Sequence, residues 1–150
     1  MKLAEALLLR AEYQQKIGIL QARILANLKV EESDTPLEDP NALLREACDV
    51  NTRLCGLVKQ INARNMVAAL PDGRTLAEAL ADREALKNER NLLAAIAEGA
   101  VQKDYRLTHT ELKTRVTVSV AELQKRVDDL SRDYRELDAQ IQAVNWTAEL

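Results

Sequence analysis

Residues 120–144 read VAELQKRVDDLSRDYRELDAQIQAV, and eight of them fall into one register: Val120, Leu123, Val127, Leu130, Tyr134, Leu137, Ile141 and Val144. The steps alternate three and four residues, and every seam position is apolar. An α-helix turns such a spacing into a single stripe along one side. The residues between (Glu122, Lys125, Asp128, Asp129, Arg132, Asp133, Arg135, Glu136, Asp138) suit water. A stripe of this kind must be covered by another helix. The seam therefore predicts a helix over about 120–144 in an all-α chain.

Three further helices follow from the same reading. The first spans about 2–28, with Leu3, Ala6, Leu7, Tyr13, Ile17, Leu20, Ile24 and Leu28 as its stripe. The second spans about 40–64, with Leu43, Ala47, Val50, Leu54, Leu57 and Ile61. The third spans about 76–99, with Leu76, Leu80, Leu86, Leu93 and Ile96. Asp39-Pro40 is a start signal, an N-cap followed by proline at the first helical position. Thr75 with Glu78, and Ser119 with Glu122, read as capping boxes. Lys29 to Asp39 is an acidic, proline-containing loop, and Pro71-Asp72-Gly73 is a turn. Arg115-Val116-Thr117-Val118-Ser119-Val120 alternates polar and β-branched residues, which admits a short strand. Its partner would be the Met66–Leu70 stretch, in a two-stranded β-ribbon. At about 1.5 Å per residue each helix spans roughly 35–40 Å. The expected architecture is one domain over 1–150, an antiparallel four-helix bundle or paired long helical hairpins.

Composition agrees. Leu, Ala, Glu and Arg dominate, aromatics are 3%, there is no Phe, and only 4 Gly and 3 Pro are present, so the core is aliphatic and turn-rich β folds are disfavoured. The net charge of −3 gives no reason to expect nucleic acid. No apolar run approaches the ~20 residues that span a bilayer. Glu5 and Arg10 interrupt the opening apolar run, which excludes a signal-peptide core. Leu7-Leu8-Leu9 widens the apolar face of the first helix, but the basic polar face that favours lipid is missing, so a membrane partner is not expected. These features predict a cytoplasmic protein. Cys48 and Cys55, on one helix, would have Cα atoms roughly 10 Å apart, beyond the reach of a disulfide. They are expected as buried thiols on a helix flank.

No motif names a reaction, so the chain is expected not to be an enzyme. His109 is the only histidine, which disfavours di-iron and catalytic zinc sites; it is expected at the surface. No phosphate loop, dinucleotide fingerprint or nucleophile elbow occurs. The informative residues are polar intrusions on apolar stripes: Arg10, Asn62, Arg83 and Arg90. Buried charges must be paired. These are expected either to pair across helices and fix register or to carry their heads to water. The alternative is a polar pocket in which Glu5, Glu84 and Asp138 hold a divalent cation. Otherwise no cofactor is expected. Trp146, just past the last seam residue, is expected as an anchor docked on a neighbouring helix or subunit.

The chain resembles a bacterial family sometimes labelled septicolysin-like. The resemblance is carried by Met1 to Leu7, by Asp72-Gly73-Arg74-Thr75-Leu76 with Glu78-Ala79-Leu80, and by Arg83-Glu84-Ala85-Leu86. Val120-Ala121-Glu122-Leu123-Gln124, Arg135-Glu136-Leu137-Asp138 and Ile141-Gln142 through Asn145-Trp146 complete it. It implies a helical, oligomeric protein, and its label adds a membrane-active cytolysin as a second alternative. Four aliphatic stripes exceed what one slender bundle needs, so the primary expectation is a non-enzymatic, self-associating homo-oligomer. A metal- or ligand-binding bundle is the first alternative.

Overall fold

A computed structural model describes residues 1–102 and 114–150. His109 lies outside the described residues. The described residues form four helices and no strand: α1 (Leu3–Ala26), α2 (Pro40–Asn65), α3 (Leu76–Val101) and α4 (Val120–Thr147). The chain divides into two compact units, one comprising Met1–Leu76 with Gln142–Leu150 and the other Ala77–Ile141.

The first unit is built on the α1–α2 hairpin. Leu20, Leu43 and Val50 are buried together, with Tyr13, Ile17, Ile24 and Ala47 packed against them. The helices run antiparallel. Lys16 Nζ meets Glu46 at 2.7 Å near mid-hairpin, and Arg23 forks onto Glu38 where the connection re-enters α2. The loop over 27–39 is held at this end, because Asn27 Oδ1 also accepts from the Glu38 N–H. Asp39 caps α2 as expected: its side chain accepts from the Asn41 N–H at 2.9 Å, and proline follows.

The expected β-ribbon does not form. The 66–70 stretch turns back on its own continuation: the Leu70 N–H donates to Arg74 O, and the Leu76 N–H to Ala68 O. A single bridge joins Ala69 and Thr75. Gly73 makes the reversal, with φ of 89°, in the left-handed region that favours glycine. Residues 114–119 carry no strand. The turn chemistry of Pro71-Asp72-Gly73 is strong enough to provide Met66–Leu70 with a local partner, and local closure costs less chain entropy than a distant one.

The two ends of the chain are also clasped. The Leu3 N–H donates to Ala148 O, and the Leu150 N–H to Met1 O, each at 2.9 Å. Lys2 reaches Glu149 and Thr147 O, and the terminal ammonium approaches the Glu149 carboxylate. These charges draw the Glu149 carboxyl below its ordinary range, the Lys2 hydrogen bond being the largest cause.

The second unit is the α3–α4 hairpin, also antiparallel. Ser119 opens α4 by accepting from the Glu122 N–H with its Oγ. None of the eight seam residues of α4 is exposed, and Leu130, Leu137 and Ile141 are buried. Most of the charged residues between them face solvent.

Candidate functional site

Two arginines that interrupt the α3 stripe are used within the second unit. Arg83 Nη1 donates to Asp138 Oδ1 at 2.5 Å, and both side chains are about two-thirds covered. Arg90 lies over the Tyr134 ring, with its guanidinium carbon 5.8 Å from the centroid, and also donates to Asn91 Oδ1. Glu89 and Arg126 add a third cross-helix link at 2.6 Å. Together these bonds set the register of α3 against α4. A planar guanidinium over an aromatic face is a favourable cation–π arrangement.

The intrusions in the first unit behave differently. Arg10 is half-buried, and its Nε is buried without a hydrogen-bond partner. Asn62 is exposed. Arg64 Nε is likewise buried and unpartnered, beside an open hollow of about 370 Å³ lined by Gln60, Ala63, Val67 and Leu150.

The carboxylates considered for a cation are each engaged elsewhere. Glu5 accepts from the Lys2 N–H at 2.6 Å in the first turn of α1. Glu84 pairs with Lys87 at 3.6 Å, and Asp138 with Arg83. Among the described residues no group of three or more His, Cys, Asp or Glu is placed to hold a metal ion.

Three further placements differ from the sequence reading or escaped it. Cys48 and Cys55 are exposed free thiols rather than buried ones. They sit on the solvent side of α2 because Leu43, Val50 and Leu57 take the inward positions. Trp146 is 58% exposed rather than docked on a helix of its own chain among the described residues, and its neighbours Asn145 and Ala148 take the buried sites. The third is an outward seam on α1: Leu8, Ala11, Gln15, Gly18, Ala22 and Leu25, spaced 3-4-3-4-3 and all exposed. Leu8 and Leu25, at its ends, are 59% and 61% exposed, with Ile19 beside it at 51%. This seam lies on the other side of α1 from the stripe that packs on α2. A count of the heptad around α1 reveals it, but the stronger inward stripe hides it when only one seam per helix is sought.

Comparison with known proteins places these features in a family without assigning an activity. No curated protein matches the chain. A crystal structure of a functionally unknown conserved protein from Corynebacterium diphtheriae matches with a TM-score of 0.93 and 38% identity, covering 100% of this chain and 98% of that one. A family model described as a family of unknown function, DUF6847, matches residues 10–150. Neither match carries the septicolysin label. By sequence over nearly its whole length, the chain belongs to the DUF6847 family.

Proposed function

We propose that this is a non-enzymatic, self-associating helical protein, and that its role is exercised through helix faces rather than through a catalytic pocket. One observation carries the reading. α1 presents to solvent a second heptad seam of small and apolar residues, interrupted by Gln15 and Gly18, in addition to the one it uses to pack on α2. A helix in a monomeric domain needs one apolar face, with polar residues on the other. A second seam ending in two leucines more than half exposed is surface that association would remove from water. Two exposed free thiols support a reducing, cytoplasmic setting. No helix of the described residues is long and apolar enough to cross a membrane.

The test is light scattering coupled to gel filtration, from micromolar to hundreds of micromolar protein. The expected result is a mass that rises with concentration, and a Leu8→Glu variant that stays at monomer mass while keeping its helical circular dichroism. A strict monomer over the whole range removes the reading.

A further inference from the structure

Three helices carry an exposed seam with heptad spacing, and charge separates them. On α2 the seam is Leu44, Cys48, Asn51, Cys55, Val58 and Asn62; on α3 it is Ala81, Ala85, Asn88, Leu92, Ala95 and Gly99. All but Val58 are exposed, and Val58 is half-buried. An antiparallel pairing of a helix with its own copy brings flanking positions together across the seam. On α2 that sets Arg45 against the partner's Lys59. On α3 it sets Glu84 against the partner's Glu98, and Glu89 against the partner's Glu89, with Glu84 also paired to Lys87 and Glu89 to Arg126 within its own hairpin. Like charges so placed oppose association.

The α1 seam has no such conflict. Read in either direction it runs leucine, alanine, amide or glycine, alanine, leucine. An antiparallel copy therefore sets Leu8 on the partner's Leu25, Ala11 on the partner's Ala22, and Gln15 beside the partner's Gly18. Along one flank Glu12 meets the partner's Ile19 and Glu5 meets the partner's Ala26. Along the other, Gln14 meets the partner's Gln21. The nearby cations Lys16 and Arg23 are occupied by Glu46 and Glu38 within the hairpin. A parallel pairing would instead place Leu7 against the partner's Glu12 and Gln14 against the partner's Ile19. At Gly18 a built Cβ meets nothing within 4 Å, so the position is open to a close neighbour.

We propose that α1 is a homodimerisation helix, and that its outward seam pairs antiparallel with the α1 seam of a second copy. This deepens the self-association reading and rests on it. A single helix pair covers less than the ~1,200–2,000 Å² of a stable complex, so the contact is expected to be weak and concentration-dependent.

The register is tested by oxidative cross-linking in a Cys48→Ser, Cys55→Ser background. Residues 8 and 25 lie roughly 25 Å apart on one helix, so a disulfide between them forms only between copies. The expected result is a covalent dimer from an equimolar mixture of Leu8→Cys and Leu25→Cys proteins, and loss of that band with either protein alone. Efficient cross-linking of each protein alone indicates parallel pairing and overturns the proposal. No cross-link in any sample, with a dimer still present by light scattering, removes α1 as the interface while leaving self-association in place. A monomer by light scattering removes both.

Discussion

Arg83 and Arg10 illustrate how differently one residue type fares on an apolar stripe. Arg83 spends its charge on Asp138 across the hairpin. A double-mutant cycle with Arg83→Met and Asp138→Asn is expected to give a coupling of about 1 kcal/mol, above the usual value for exposed pairs; additive losses would show that the pair contributes no coupling. Arg10 leaves a buried Nε without a partner, and an orphaned donor costs about 1–3 kcal/mol. Arg10→Met keeps the apolar stem and removes that atom. The expected outcome in urea unfolding is a gain of up to about 1 kcal/mol; a loss would show that the guanidinium head holds the site. Gly18 gives a third case. Glycine in a helix interior costs about 0.5–1 kcal/mol relative to alanine, and neither Gly18 nor Gly56 has an atom where a Cβ would go. Both alanine substitutions are expected to stabilise the monomer by about that amount, while only Gly18→Ala weakens association. Equal effects on association would remove any special role for Gly18.

Elements were legible in proportion to the strength of their periodicity. The α4 seam is unbroken in the sequence and has no exposed member in the fold, and the helix continues three residues beyond Val144 to Thr147. Leu137→Ala is expected to cost about 2–5 kcal/mol, against about 0.5 kcal/mol or less for exposed Arg135→Ala; similar midpoints would show that the seam is not packed. The ribbon is absent because β-branched alternation over 115–120 describes a half-covered strand only when a partner exists. Met66–Leu70 had a nearer partner across Gly73. The α1–α2 hairpin adds a pH dependence that no periodicity reveals. The Arg23 hydrogen bond holds the Glu38 carboxyl below its ordinary value of 4.5. A depressed carboxyl pKa contributes stability that is fully present above the unfolded value and lost as pH falls through the folded one. Unfolding followed from neutral pH down to about pH 3 should therefore show a loss beginning near the ordinary glutamate range, and Glu38→Gln should flatten it. An unchanged slope in that variant would mean that the pair is screened by solvent.

At the scale of the whole chain, two units share one helix. α4 contributes Val120–Ile141 to one and Gln142–Thr147 to the other, without a break at the boundary. Neither this division nor the clasp between Met1–Leu3 and Ala148–Leu150 could be read from the sequence. Both depend on residues far apart in the chain, whose hydrogen bonds are made by backbone atoms that every residue carries. The same holds for the outward seam of α1, whose meaning depends on which of two stripes the hairpin consumes. A continuous helix propagates cooperatively, because each added residue costs less than a new nucleus. The two units are therefore expected to unfold together. Trp146 is the only tryptophan and lies in the first unit, whereas far-UV circular dichroism reads helices of both. The two signals should give coincident transitions in urea. Leu137→Ala, whose side chain lies in the second unit, should lower the Trp146 midpoint as much as the helical one. A Trp146 transition that stays at its original midpoint while helix is lost earlier would show that the boundary near residue 141 uncouples the two units.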